Sequence, residues 1–277
     1  MKHKINDLYL KERLEKFSPE VPYRLLISKF PRFADVTLHY HDCLEFNIYH
    51  ELKGKVFLDG MEFSLADHSL LILPPGTMHS YLIPSQKGEM LIVQLSLKDL
   101  NLYLNTEQVT QTMGIFWERI PFFTQRSEIP KLCYRLMEKE RYDLPDFLFW
   151  VLELFRAVAL LDNREMAVKP SQLELSWLRK VINYTELNFD RKITLNEVAV
   201  EIGFSSAYFS RLFKKNTGFS YWNYLQTVRL ERAAELLKQG LGVSETAELS
   251  GFQDVSYFIK VFRENRGLSP GQYKTNQ

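Results

Sequence analysis

The pattern of apolar positions changes period near the middle of this 277-residue chain. From Val36 to about Leu97 apolar residues come in short runs: Glu45-Phe46-Asn47-Ile48-Tyr49, Lys55-Val56-Phe57-Leu58 and Leu70-Leu71-Ile72-Leu73. Gly54, Asp59-Gly60, Ala66-Asp67 and Pro74-Pro75-Gly76 punctuate them. Evenly spaced short strands between turn residues predict a sandwich or a closed barrel. Over residues 130–161 the spacing becomes helical, with Leu132, Leu136 and Met137 on one short stripe. From Phe147 to Leu161 the pattern is apolar nearly all round, more than one core-facing stripe requires. Such a helix is either buried within its own subunit or paired with a second copy in a homodimer. Lys169-Pro170 then breaks the pattern, and residues 163–171 read as a linker.

Beyond the linker a segment occurs twice. Gly203-Phe204 recurs as Gly251-Phe252, and Phe209 and Phe213 fall on Phe258 and Phe262. Arg211 and Lys214 fall on Lys260 and Arg263; Gly218 falls on Gly267, Ser220 on Ser269 and Tyr224 on Tyr273. An internal repeat constrains the fold before any single element does. Each copy reads as helix, glycine turn, helix. Thr194-Leu195-Asn196-Glu197 fits a capping box. Leu195, Val198, Ala199 and Ile202 then form one stripe, and Gly203 and Gly251 suit a left-handed turn residue. Ser205 or Ser206 can cap the following helix, as can Asp254 in the second copy. Phe209, Leu212 and Phe213 point inward by their spacing, which turns Ser206, Ala207, Ser210, Arg211 and Lys214 outward. In the second copy the outward set includes Val255, Ser256, Tyr257, Ile259, Lys260 and Arg263. A second helix of this kind enters the major groove of DNA, where arginine can bind guanine bidentately and lysine suits phosphate.

These residues resemble the AraC/XylS family of bacterial transcription regulators over residues 172–277. The second copy carries the family's closing pattern, Gly251-Phe252, Phe258, Phe262-Arg263, Gly267, Ser269-Pro270 and Tyr273. Arg229-Leu230-Glu231-Arg232-Ala233-Ala234 matches its linking helix. The resemblance implies two helix-turn-helix units, at about 194–216 and 243–265, held by that helix and reading successive major grooves. Tyr221-Trp222 follows Ser220 where the second copy has Pro270-Gly271, and Ile259 stands at an outward position.

Net charge is only +1, so the overall balance does not announce nucleic acid. Residues 171–277 carry a net +3 and the remainder −2, which places the basic excess in the half with the repeat. Cys43 and Cys133 are far apart in sequence and form no metal-type pair. No long apolar run or signal-peptide pattern occurs, and a cytoplasmic protein without membrane association is expected.

All six histidines lie within the first 79 residues. His39 and His41, two apart on a strand, share a face, and are followed by Glu45 and later by the Pro74-Pro75-Gly76-Thr77-Met78-His79 element. Three imidazoles and a carboxylate form a plausible set for a divalent metal. These residues resemble the cupin fold and the sensor domains that precede many AraC-type DNA-binding domains. Phe33 stands where that fold has a glycine, and the glycine after Glu45 is displaced to Gly54. The favoured expectation is an effector pocket with no cofactor, formed by His39, His41, Glu45, His79, Asn47 and Tyr49; a metal on His39, His41, Glu45 and His79 is the alternative.

The expected fold is therefore α+β and multidomain. A cupin-like β-barrel over 1–100 is followed by a helical dimerisation segment over 101–162, the linker 163–171, and an all-α C-terminal domain with two helix-turn-helix motifs. The expected function is effector-controlled, sequence-specific binding of double-stranded DNA by a homodimer, with RNA polymerase a further partner, and not catalysis. The competing expectation is a metal-dependent cupin enzyme or metal sensor fused to a DNA-binding domain.

Overall fold

The computed structural model describes residues 22–29, 36–65, 70–84, 88–115, 122–124, 129–135, 143–160 and 172–275. The linker 163–171, Leu136, Met137 and Leu161 lie outside them. The chain divides into two compact units, one rich in sheet and one helical. No helix among the described residues is long and apolar enough to cross a membrane.

The first unit is built on two sheets. The strands of the chain are β1 (Tyr23–Lys29), β2 (Val36–His39), β3 (Leu44–His50), β4 (Gly54–Leu58), β5 (Met61–Leu65), β6 (Leu70–Leu73), β7 (His79–Leu82), β8 (Glu89–Leu95) and β9 (Phe122–Thr124), of which β2 is grouped with the helical unit. One sheet has the order β1-β8-β3-β6-β9 and the other β2-β7-β4-β5. Helices α1 (Leu97–Leu100), α2 (Thr106–Thr112), α3 (Ile129–Arg135) and α4 (Leu144–Ala159) complete the unit.

Strand β3 lies at the centre of the larger sheet, and both of its faces are buried. Leu44, Phe46 and Ile48, on one face, join Leu91, Val93 and Leu95 of β8 in a core shared with α4. In α4, Phe147, Trp150, Val151, Leu154, Phe155 and Val158 are buried at the i, i+3, i+4 spacing of a single stripe. Tyr23 stacks on Phe147 at 4.5 Å, and Trp150 Nε1 donates to the carbonyl of Leu132 over 2.8 Å. Packing within one subunit thus accounts for this half of the helix. The opposite face keeps Phe149 (63% exposed) and Leu160 (76%) in solvent.

The second unit contains α5 (Gln172–Asn188), α6 (Leu195–Glu201), α7 (Ser206–Thr217), α8 (Tyr221–Lys238), α9 (Val243–Leu249), α10 (Val255–Arg266) and α11 (Pro270–Thr275). The sequence repeat reappears as repeated local structure. The side chains of Ser205 and Asp254 cap α7 and α10, and left-handed Gly218 and Gly267 end them. Thr194 and Glu197 close the capping box on α6. Each copy also builds an aromatic cluster: Phe213 packs on Phe209 and Tyr224, and Phe262 on Phe258 and Tyr273. Helix α8 has buried residues around most of its circumference, including Leu225, Val228, Leu230, Ala233 and Leu236. A helix apolar nearly all round is one enclosed by its neighbours.

Candidate nucleic-acid interface and sensor site

On α7 the aromatic cluster takes Phe209 and Phe213 inward, so Ala207, Ser210, Arg211 and Lys214 are exposed and Ser206 is half-buried. On α10, Phe258, Val261 and Phe262 are inward, and Ser256, Tyr257, Ile259, Lys260 and Arg263 are exposed. Val255 also lies at the surface. Two hydroxyls of the expected outward sets have partners inside the protein. Ser206 Oγ donates to Asn196 Oδ1 over 3.1 Å, and the Tyr257 hydroxyl accepts from Gln226 Nε2 over 2.7 Å. The second bond ties the outward helix of the second copy to α8.

The turns that set the two copies are unequal. Gly203 and Gly251 both have a left-handed backbone, with φ of 75° and 84°. A Cβ on Gly203 would meet nothing within 4 Å, whereas one on Gly251 would lie 2.3 Å from the Phe189 carbonyl oxygen. Arg229 of α8 braces the same place, its Nε donating to the Phe189 carbonyl and its Nη2 to that of Arg191, each over 2.8 Å. Half-buried Arg229 therefore joins the end of α5, the linking helix and the second turn. Sequence reading assigned Arg229 only to a family match. Its bonds are to main-chain atoms some forty residues away, which leave no local signature.

In the first unit, the polar face of β3 looks toward the other sheet. Glu45 pairs directly with Gln94 of β8, and Gln94 Nε2 donates to Glu45 Oε2 over 2.8 Å. His41 Nε2 lies 2.8 Å from the same oxygen. Asn47 Nδ2 donates to Glu45 Oε1 over 2.5 Å and to the Tyr81 hydroxyl of β7 over 2.8 Å. His79 Nε2 stands 4.0 Å from Glu45 Oε1, and the Tyr49 and Tyr81 rings lie 6.4 Å apart. Thus His39, His41, Glu45, Asn47, Tyr49 and His79 occupy one interior region, together with Gln94 and Tyr81, which were not anticipated. Gln94 was a polar residue within Leu91-Ile92-Val93-Gln94-Leu95, but only the register with β3 reveals its partner.

Burial opposes charge on both His41 and Glu45, but their mutual attraction and hydrogen bond prevail. They raise His41 above its ordinary 6.5 and hold the Glu45 carboxyl well below its ordinary 4.5. The amides of Asn47 and Gln94 are oriented by this carboxylate, which can only accept, so each turns its NH2 toward it. Their oxygens, Asn47 Oδ1 and Gln94 Oε1, are left buried with no hydrogen-bond partner among the described residues. Each such oxygen costs about 1–3 kcal/mol.

His39, His41 and His79 present ligand-type atoms within 4.8 Å of one another. The Nδ1 atoms of His39 and His79 lie 2.9 Å from the carbonyls of Thr37 and Thr77. A proton on each Nδ1 leaves Nε2 as the lone-pair atom, the arrangement common to metal-binding histidines. His41 fits less well, since Nε2 is on Glu45 and Nδ1 lies 3.0 Å from Cys43 Sγ. Glu45 Oε2 already accepts from His41 and Gln94, whereas Oε1 accepts from Asn47 alone and keeps one lone pair.

In the second unit, capped helices, left-handed turns and outward basic residues define a tandem helix-turn-helix module. Residues 191–276 match the family model described as a helix-turn-helix domain. These residues form a helix-turn-helix domain. The chain is 32% identical over 126 residues to an uncharacterized HTH-type transcriptional regulator, YfiF of Bacillus subtilis, covering 45% of this chain and 40% of that protein. It is 32% identical over 100 residues to the regulatory protein PocR of Salmonella typhimurium, covering 36% of this chain and 33% of that one. The chain thus spans 40% or less of the length of these two relatives. Among solved structures, the C-terminal domain of the response regulator yesN from Fusobacterium nucleatum is 35% identical, with a TM-score of 0.34 over 35% of this chain and 96% of that one. ToxT of Vibrio cholerae, bound to (E)-4-(8-methylnaphthalen-1-yl)but-3-enoic acid, aligns over 92% of this chain and 98% of its own at 13% identity and a TM-score of 0.46.

Proposed function

We propose that the protein is a sequence-specific transcription regulator, in which α7 and α10 read successive major grooves of double-stranded DNA. The observation that carries this reading is the tandem module, with matched caps and two outward helix faces bearing Arg211, Lys214, Lys260 and Arg263. Arg211 reads a base, with Ser206, Ala207 and Ser210 beside it; Lys214 grips the backbone. In the second copy Ser256, Lys260 and Arg263 have the corresponding roles, and Tyr257 contacts DNA while bonded to Gln226. Footprinting on DNA upstream of the protein's own gene tests this. Protection over two adjacent major grooves is expected, and a footprint unchanged in extent and affinity in Arg211→Ala would refute the residue assignment.

The first unit is a cupin-like sensor whose effector lies between the sheets, against the polar face of β3. An effector acts by binding one arrangement of the regulator better than another. The buried polar cluster around Glu45 supports this reading, because desolvating so many polar groups is costly without a use. The protein works as a homodimer through the outward face of α4, where Phe149 and Leu160 are exposed.

A second reading puts a divalent metal on His39, His41 and His79, favoured by their grouping within 4.8 Å. It requires His41 to release Glu45 or turn from Cys43. Elemental mass spectrometry of untagged protein decides between them. About one transition metal per chain supports this reading, and metal-free protein that still binds DNA removes it.

A further inference from the structure

The interior of the sheet-rich unit offers acceptors to anything that enters it. Asn47 Oδ1 and Gln94 Oε1 are buried and have no partner among the described residues. Neither amide can reverse without pointing its oxygen at the Glu45 carboxylate, so both acceptor positions are fixed. Each side chain is 1% exposed or less, and both belong to inward positions of adjacent strands of one sheet. Buried acceptors without partners are uncommon in folded proteins and require an explanation. The charge environment narrows what could satisfy them. No lysine or arginine is buried among the described residues of this unit, so nothing there would neutralise an anion, and Glu45 would repel one. Nor does Glu45 call for a cation, since three side chains already donate to its two oxygens.

We propose that the effector is an uncharged small molecule carrying at least two O–H or N–H donors, bound through Asn47 Oδ1 and Gln94 Oε1. Carboxylates are rejected by the same surface. This rests on the reading of the first unit as a sensor and assigns the chemistry of what it senses. Specificity of this kind is strong because a ligand without donors leaves both acceptors desolvated and unpaired.

The test is a thermal-unfolding screen of the full chain against matched neutral and acidic probes. Glucose is set against glucuronate, benzamide against benzoate, and myo-inositol and xylose extend the neutral set. At least one neutral probe is expected to raise the unfolding temperature dose-dependently, while its acidic counterpart does not. The shift is expected to disappear in Asn47→Leu and in Gln94→Met, each checked for folding by circular dichroism. Two variants are used so that failure of one to fold leaves the other decisive. Acidic probes that stabilise as well as neutral ones would overturn the proposal. So would shifts that survive in a folded variant, or a neutral set that produces no shift. Footprinting of the same preparations separates the two levels of inference. Protein that binds DNA but fails the screen sinks the ligand class alone, and protein that passes the screen without binding DNA sinks the regulator reading.

Discussion

Gly203 and Gly251 occupy equivalent turns of the repeat with nearly the same φ, yet substitution by alanine should affect them very differently. A left-handed conformation costs a residue with Cβ about 1–2 kcal/mol, offset in part by the lower entropy of the unfolded chain. Gly203→Ala should incur only this, a net loss of about 1 kcal/mol, because its Cβ meets nothing within 4 Å. At Gly251 the same Cβ would lie 2.3 Å from the Phe189 carbonyl oxygen, 2.9 Å from Arg229 Nε and 3.1 Å from the Asp190 Cα. Two of these three neighbours are backbone, and that backbone is held by Arg229 through the carbonyls of Phe189 and Arg191. Overpacking adds about 1–3 kcal/mol. Loss of one hydrogen bond from the guanidinium adds about 1.5–3 kcal/mol. Gly251→Ala should therefore cost about 3.5–7 kcal/mol in all. A chain of two compact units need not unfold in one step, so a global melting curve is a poor readout. Hydrogen-exchange mass spectrometry of the full chain, read on peptides from residues 221–238, isolates the opening of α8. Equal loss of protection in both variants, or the larger loss in Gly203→Ala, would refute the argument from close approach.

Arg211→Ala should weaken binding to the cognate site by about 1–3 kcal/mol and relax preference at one base pair, whereas Lys214→Ala should lower affinity for all sequences and reduce the salt slope by about one. Gel-shift titrations at several salt concentrations check both. The His41–Glu45 pair gives stability a pH window. The raised His41 contributes fully below about 6.5, its ordinary value, and the contribution is lost as pH rises through its folded value. Depressed Glu45 contributes above its ordinary 4.5, and that part is lost as pH falls through its folded value. The difference in unfolding temperature between the parent and His41→Gln should thus be largest between these limits and shrink on either side; a difference that grows from pH 7 to 9 would contradict the assignment. Phe149→Asp should shift sedimentation velocity from dimer to monomer while leaving the far-ultraviolet circular dichroism unchanged, and an unaltered dimer would remove the α4 face from the interface.

What could be read from the chain was what is local. Capping boxes, turn glycines and the i, i+3, i+4 aromatics act within a few residues, so the repeat announced both outward helices and their caps. The parity of Glu45, Asn47 and Tyr49 likewise placed them on one face of β3. Period alone does not say which layer covers a face, and β3 has burial on both sides. Gln94 and Tyr81 became visible only through strand register and the approach of the second sheet. Arg229 and Gln226 work through partners 40 and 31 positions away, contacts that no window of sequence contains. Helix α4 was ambiguous for a related reason: its pattern records how much apolar surface exists, and the fold assigns half of it to its own sheet.

The central strand β3 is a plate with two unlike sides. Glu45, Asn47 and Tyr49 face the space between the sheets, while Leu44, Phe46 and Ile48 bear on the layer formed with α4. It is clamped laterally by β6 and β8, so it cannot tilt alone. Close-packed interiors have little compressibility. A push of a few tenths of an ångström on the polar side must therefore emerge on the apolar side as a displacement of the helical layer. Strand β3 is placed to act mechanically as a piston, and the stiffness of its packing sets how small a displacement on the polar side is felt in the helical layer.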